Sequence, residues 1–186
     1  MRIGISGVKG SFSEEAAQLY ATQKGIKHSP EFLVSVENVL EQVENGTTPL
    51  GIFPIENSNG GIVVEAVHAM AKHTFDIKEL FEFEVNHHLL VKPGTTAARV
   101  QTIASHDQAL RQCRMYLKRA WSDADLTPYP DTALAAKDLS EGTLSDTTAV
   151  IASRRASELY GLEILEEKIQ DLKFNYTVFI AAEKIS

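Results

Sequence analysis

Cysteine is nearly missing. Cys113 stands alone among 186 residues, so no disulfide can form within the chain and no thiolate cluster can hold a metal. That composition fits a reducing compartment, and a cytoplasmic location is the expectation. Positive charge is also short: 18 Lys and Arg face 25 Asp and Glu, a net charge of −7. A nucleic-acid partner demands a basic surface to displace counterions, so none is expected. A small anionic ligand is still compatible, because a local pocket can oppose the global sign. Long apolar runs are missing as well, and none approaches the ~20 residues a bilayer crossing needs. The start, Met1 to Gly7, is too short and too little apolar to act as a signal peptide. No membrane association is expected. There is no fixed-period repeat and no Pro/Gly/Ser tract long enough to separate independent domains.

What is present is ordinary globular material, 44% hydrophobic and 23% charged. Arg2 to Ser6 reads as a buried strand ended by Gly7-Val8-Lys9-Gly10. Ser11 with Glu14 three residues on is a capping box, opening a helix with Ala16, Ala17 and Tyr20 on one face. Ser35 caps a second helix in which Val36, Val39, Leu40 and Val43 recur at helical spacing, closed by Asn45-Gly46. Leu50 to Ile55 is a strand, followed by the loop Glu56 to Gly61 and another helix. The pattern then changes: Phe81, Phe83 and Val85 alternate with Glu82 and Glu84, a strand with one wet face that continues into His87 to Val91. Ser105 with Gln108 predicts a further capping box and a helix to about Arg119, and Asp131 caps a helix from Thr132. Tyr176 to Ala182 is the last strand. Helices and strands alternate almost throughout, which predicts an α/β fold with largely parallel strands. Two lobes are expected, residues 1–75 with 176–186 as the first and 76–175 as the second.

Three loops share one design, a strand end, a small polar turn and a helix start: Gly7 to Ser13, Glu56 to Gly61, and Ser105 to Gln108. Each helix start offers unpaired backbone N–H groups and a partial positive charge. Together they point to a carboxylate or phosphate pocket, although each is also readable as an ordinary capped turn. Gln108 and Gln112, at i and i+4, share a stripe that either faces a cleft or is simply solvated. A metal is not expected. His87 and His88 are neighbours in a predicted strand and face opposite sides, His68 and His73 are five apart, and no HExxH motif occurs. Cys113 falls in the apolar stripe of its helix and reads as core rather than nucleophile.

A set of longer segments carries a resemblance. They are Gly7-Val8-Lys9-Gly10-Ser11-Phe12-Ser13 with Glu15-Ala16-Ala17, Pro54-Ile55-Glu56-Asn57-Ser58 with Gly61, and His87-His88-Leu89-Leu90 with Lys92-Pro93-Gly94. Ser105-His106-Asp107-Gln108-Ala109-Leu110 with Gln112-Cys113-Arg114, Ile151-Ala152-Ser153, Leu159-Tyr160-Gly161-Leu162, Ile169-Gln170-Asp171 and Asn175-Tyr176-Thr177-Val178-Phe179 complete it. In this order and spacing the chain resembles the prephenate dehydratase catalytic domain, from near residue 2 to near residue 182. The resemblance implies a two-lobed fold similar to periplasmic binding proteins, with an active-site cleft between the lobes. It implies loss of water and carbon dioxide from prephenate to give phenylpyruvate, a step of phenylalanine biosynthesis. Aromatisation drives that reaction, so no cofactor is expected.

The essential threonine of the family maps onto Thr177. Glu56, Asn57, Ser58, Ser105, Gln112, Thr132 and Phe179 fall on positions that the resemblance assigns to substrate binding. The sequence departs from the family at Val178, where the motif has an arginine; valine cannot hold a carboxylate in a bidentate fork. Adjacent strand residues face opposite sides, so Val178 is not required to share a face with Thr177. The chain given stops at Ser186, which leaves no residues for the C-terminal ACT domain common in the family, and no feedback through such a domain is expected. A homodimer is expected by resemblance alone. Prephenate decarboxylase, arogenate as the substrate, and a non-catalytic ligand-binding relative stay open as alternatives.

Overall fold

A computed structural model describes residues 1–185. The chain divides into two compact units, Met1–Glu84 together with the chain from Tyr176 onward, and Val85–Asn175.

The first unit is built on β1 (Arg2–Ile5), β2 (Ser29–Phe32), β3 (Gly51–Asn57), the two-residue β4 (Gly61–Ile62), β5 (Asp76–Glu84) and, from the far end of the chain, β11 (Tyr176–Glu183). The sheet order is β2-β1-β3-β11-β5, with β4 paired to β3. β1 runs parallel to β2 and β3, whereas β11 runs antiparallel to both β3 and β5. Both faces of this sheet are covered. Ile3, Ile5, Ile52 and Phe179 pack with Ala16, Ala17 and Tyr20 of α1 (Phe12–Gln23). Phe53, Ile180 and Ala182 pack with Val36, Val39, Leu40 and Val43 of α2 (Val36–Glu44) and with Ala66 and Ala69 of α3 (Val64–Met70). Strands buried on both faces explain why the central segments read as continuous apolar runs.

The second unit holds β6 (His88–Val91), β7 (Thr102–Ser105), β8 (Asp125–Pro128), β9 (Thr148–Ala152) and β10 (Glu163–Glu166). Their order is β10-β6-β9-β7-β8. β7 is parallel to β8 and β9, while β6 is antiparallel to β9 and β10. α4 (Asp107–Gln112) and α5 (Arg114–Ala120) cover one face through Ala109, Cys113 and Leu117. α6 (Thr132–Ser140) and α7 (Arg154–Tyr160) cover the other.

Both predicted N-caps in the first unit hold, although the return arm of the box at Ser11 lands one residue early, on Gly10. The Glu14 N–H donates to Ser11 Oγ at 3.3 Å, and the Glu14 carboxylate accepts the Gly10 N–H at 2.6 Å. The Asn38 N–H donates to Ser35 Oγ at 3.1 Å.

Four expectations are corrected. The sheets are mixed rather than largely parallel, because the strands that close them, β5, β6, β10 and β11, run against their neighbours. The first unit extends to Glu84, not to residue 75, because Asp76–Glu84 pairs with β11 along its length. The helix expected to run to Arg119 is broken at Cys113, and the Asp171 carboxylate accepts the Met115 and Tyr116 N–H groups at 2.8 Å each, capping the second half. The helix after Glu56 to Gly61 starts only at Val64, preceded by β4 and without a side-chain cap.

β3 lies so close to α2 that only glycine fits at residue 51. A Cβ there would sit 2.6 Å from Val39 Cγ1 and 2.8 Å from Val43 Cγ2. Gly51→Ala is therefore expected to destabilise the first unit by about 1–3 kcal/mol through overpacking, read as a lower urea midpoint; an unchanged midpoint would show that α2 moves aside at no cost.

Candidate active site

The sequence places Asn57 and Thr177 far apart, and the fold makes them directly opposed residues of the β3–β11 ladder. Each is 7% exposed. The Asn57 side chain is oriented from behind, its Oδ1 accepting the Asn59 N–H at 3.0 Å and the Gly60 N–H at 2.8 Å. This is an Asx turn, which the loop after β3 builds with small polar residues. With its oxygen engaged there, Asn57 directs Nδ2 to Thr177 Oγ1 at 2.9 Å and to the Tyr176 carbonyl at 3.2 Å. The threonine hydroxyl therefore accepts from Asn57, and its own proton stays available for another acceptor.

Ser58 continues the ladder. Its N–H donates to the Tyr176 carbonyl at 2.8 Å, and its Oγ accepts the Tyr176 N–H at 3.0 Å. Glu56 is the exposed residue before Asn57, registered against Val178. β11 alternates regularly here: Phe179 and Ala181 face the α1 core, and Ile180 and Ala182 face the α2–α3 core. Thr177 falls on the first face and Val178 on the second. The valine that replaces the motif arginine is thus on the opposite face of the strand from the threonine.

The loop Gly7 to Ser13 leads into α1. Gly7 has φ +150, and a Cβ there would stand 2.7 Å from the capping Ser11 Oγ, so the turn is reserved for glycine.

In the second unit, Gln112 ends α4, half-buried. Its Oε1 lies 2.6 Å from His87 Nε2 and 3.0 Å from Asn175 Nδ2. Thr132 is half-buried in the first turn of α6, behind the Asp131 cap, whose carboxylate accepts the Ala133 and Leu134 N–H groups at 2.8 and 2.9 Å.

Two of the residues expected at the substrate are buried in the described structure. Phe179 is 2% exposed and lies in the core, stacked on Phe81 with ring centroids 5.7 Å apart. It shares a face with Thr177, two residues away, and at Phe179 that face is covered by the α1 core. Ser105 is 0% exposed, and its hydroxyl donates to the Ile151 carbonyl at 2.7 Å. It ends β7 instead of capping α4; the cap is His106, whose Nδ1 accepts the Gln108 N–H at 3.3 Å.

His87 and Asn175 had motif positions in the sequence but no assigned role. Their link to Gln112 depends on loops that close only in the folded unit. Burial pushes the His87 pKa down, and that of His88 to about 4, so both imidazoles are neutral at pH 7. Burial pushes the Cys113 thiol far up, which removes it as a nucleophile. Among the described residues, no three His, Cys, Asp or Glu side chains are grouped so that they could hold a metal ion, and no helix is long and apolar enough to cross a membrane.

The prephenate dehydratase family model matches residues 3–185. The chain belongs to the prephenate dehydratase family. A prephenate dehydratase of Methanocaldococcus jannaschii is 35% identical over 178 residues, covering 95% of this chain and 62% of that protein. Arogenate dehydratase 1 of Petunia hybrida is 34% identical over 181 residues, covering 97% of this chain and 41% of the relative. The chain thus spans between about two-fifths and three-fifths of these relatives' length. A solved prephenate dehydratase from Arthrobacter aurescens, in complex with L-Phe, superposes with TM-score 0.87 at 26% identity, over all of this chain and 61% of that one. A putative methionine-binding lipoprotein of Bacillus subtilis, at 13% identity with TM-score 0.51, and a nutrient-binding protein of Burkholderia cenocepacia, at 12% with TM-score 0.52, share the fold, a likeness of architecture alone.

The placement of Ser105 has a direct consequence. Ser105→Ala deletes a buried hydrogen bond and is expected to lower stability by about 0.5–1.5 kcal/mol, measured by urea unfolding. No loss would contradict the assignment of this hydroxyl to Ile151.

Proposed function

We propose that this chain is the catalytic domain of a dehydratase that converts prephenate to phenylpyruvate. The observation that carries the reading is the Asn57 Nδ2 contact on Thr177 Oγ1, 2.9 Å long, in a chain of the prephenate dehydratase family.

The chemistry asks for little covalent work. Prephenate is a dianion that loses its ring carboxylate as carbon dioxide while the C–O bond at the opposite ring carbon breaks. The electron pair released by decarboxylation completes the aromatic ring, and the oxygen departs with the pair of the C–O bond. One proton must reach that oxygen for it to leave as water. Thr177 supplies the donor, since its hydroxyl already accepts from Asn57 and so turns its own proton outward. As charge moves onto the threonine oxygen, the Asn57 N–H stabilises it from a fixed position, held in turn by the Asn59 and Gly60 amides. A free threonine is far too weak an acid to ionise at neutral pH, so in this reading its proton moves in concert with C–O cleavage onto the oxygen that leaves as water, and the threonine regains a proton from solvent after release.

The remaining site residues take binding roles in this reading. Gln112, Thr132 and Glu56 orient the substrate, and Ser58 holds the ladder in which Thr177 and Asn57 face each other. Arogenate, which carries an amine where prephenate carries a ketone, is the competing substrate. A homodimer in the cytoplasm belongs to the same proposal, on the strength of the family resemblance and the single buried cysteine.

Purified protein incubated with prephenate or with arogenate near neutral pH tests the reading. Phenylpyruvate from prephenate is the expected product; phenylalanine formed from arogenate alone would reassign the substrate. A hydroxylated, non-aromatic keto acid or unchanged prephenate would overturn the dehydratase assignment. Thr177→Ala is expected to lower kcat by about 10²–10⁴-fold, the usual worth of a general acid, with an unaltered circular dichroism spectrum. Turnover near that of the parent protein would remove Thr177 from the chemistry.

A further inference from the structure

Thr177 has a second neighbour on its own face of the sheet, and the proposed chemistry gives that neighbour no part. β11 lies between β3 and β5, and the residue opposed to Thr177 on β5 is Phe83, as Asn57 is on β3. Directly opposed residues of antiparallel strands point to one face, with Cβ atoms about 4.5–5.5 Å apart. Asn57, Thr177 and Phe83 therefore form one row across three strands. The face they share is the one that Phe81, Phe179 and Ala181 turn to the α1 core.

The row lies where that core gives out. One row further in, Phe179 is 2% exposed and Phe81 is 8% exposed. Phe83 is only half-buried. It meets Phe179 edge to face, with ring centroids 6.2 Å apart and ring planes at 87°. Its neighbours Glu82 and Glu84 are exposed, and Glu82 is registered against Val178 on the opposite face. The apolar alternation of β5 thus ends in a phenyl ring that is braced on one side by the core and left partly uncovered beside the threonine.

We infer that Phe83 is a specificity-determining residue of the reaction, its ring forming the wall against which the six-membered ring of the substrate packs as it turns aromatic. This rests on the reading of Thr177 as the donor to the departing oxygen. To take that proton, the oxygen comes within about 2.8 Å of Thr177 Oγ1, and the ring carbon bearing it is one bond further. A large side chain one strand away on the same face is then within van der Waals reach of the ring. Before the reaction that ring is a cyclohexadiene. It acquires the quadrupole of an aromatic ring only as the C–O and C–C bonds break. A phenyl wall interacts with that quadrupole beyond what area burial supplies. The contact therefore strengthens on the way to the transition state, which raises the chemical rate rather than the affinity for substrate.

Single-turnover rates at a series of prephenate concentrations separate the chemical rate from substrate affinity, and inhibition by phenylpyruvate reports contact with an aromatic ring. Phe83→Leu keeps apolar bulk and removes the quadrupole. Its chemical rate is expected to fall about three- to tenfold, with prephenate affinity within about twofold of the parent. Phenylpyruvate is expected to inhibit it more weakly by the same factor, and Phe83→Tyr is expected to restore both values. If Phe83 only packs, Phe83→Leu lowers the urea midpoint and leaves the chemical rate and the inhibition unchanged, which overturns the inference. A loss of prephenate affinity with an unchanged chemical rate overturns it as well, because the contact would then be made equally in the ground state. Should Phe83→Leu fail to fold, Phe83→Met makes the same comparison. The unsubstituted protein separates this inference from the reading beneath it. No phenylpyruvate from prephenate, or undiminished turnover by Thr177→Ala, removes that reading and Phe83 with it; normal turnover in the parent and in Phe83→Leu alike removes Phe83 alone.

Discussion

A hydroxyl group has one proton to give and lone pairs with which to accept, and what surrounds it decides which it does. Thr177 accepts from the Asn57 amide at 2.9 Å, which turns its own proton toward another acceptor. The rest of the first unit serves that contact. Asn57 can act as a donor only because the backbone amides of Asn59 and Gly60 occupy its oxygen. It can reach Thr177 only because β11 returns from the far end of the chain to run antiparallel beside β3 in this one register. A slip of one residue would set Val178 opposite Asn57 and turn the hydroxyl to the other face. The register is fixed by burial: Phe179 and Ala181 must meet the α1 core, while Ile180 and Ala182 meet the α2–α3 core. Packing a few residues away thus aims the group proposed to move a proton.

Much of this was legible in the sequence, and for identifiable reasons. Helix starts at Ser11 and Ser35 were readable because capping is a local interaction between a side chain and amides three residues on. Apolar spacing exposed α2, and continuous apolar runs exposed the central strands. Strand direction was not readable, since nothing local to Asp76–Glu84 or Tyr176–Glu183 reveals which neighbour each will choose. The break at Cys113 was equally hidden: it is fixed by Asp171, which reaches α5 from a distant loop. Of the site, Thr177 and Asn57 came from motif resemblance, and their mutual hydrogen bond from the fold alone.

Ser105 and Phe179 show what motif matching alone does not separate. Both sit inside segments that resemble the family's functional motifs, yet one hydroxyl closes on the Ile151 carbonyl and the other side chain stacks on Phe81. A motif keeps residues that support a site alongside those that touch its ligand, and only burial and partners separate the two. The converse is as instructive. His87 and Asn175 carried no role in the sequence, but they grip the amide of Gln112 from positions 25 and 63 residues away.

The proposed chemistry turns on the coupling between Asn57 and Thr177, and single-turnover rates on prephenate for Asn57→Ala, Thr177→Ala and the double variant measure it most directly. If the asparagine acts through the threonine hydroxyl, the double variant is no slower than Thr177→Ala alone. Rate losses that multiply in the double variant would mean that the two residues act separately, and the central contact would lose its catalytic meaning.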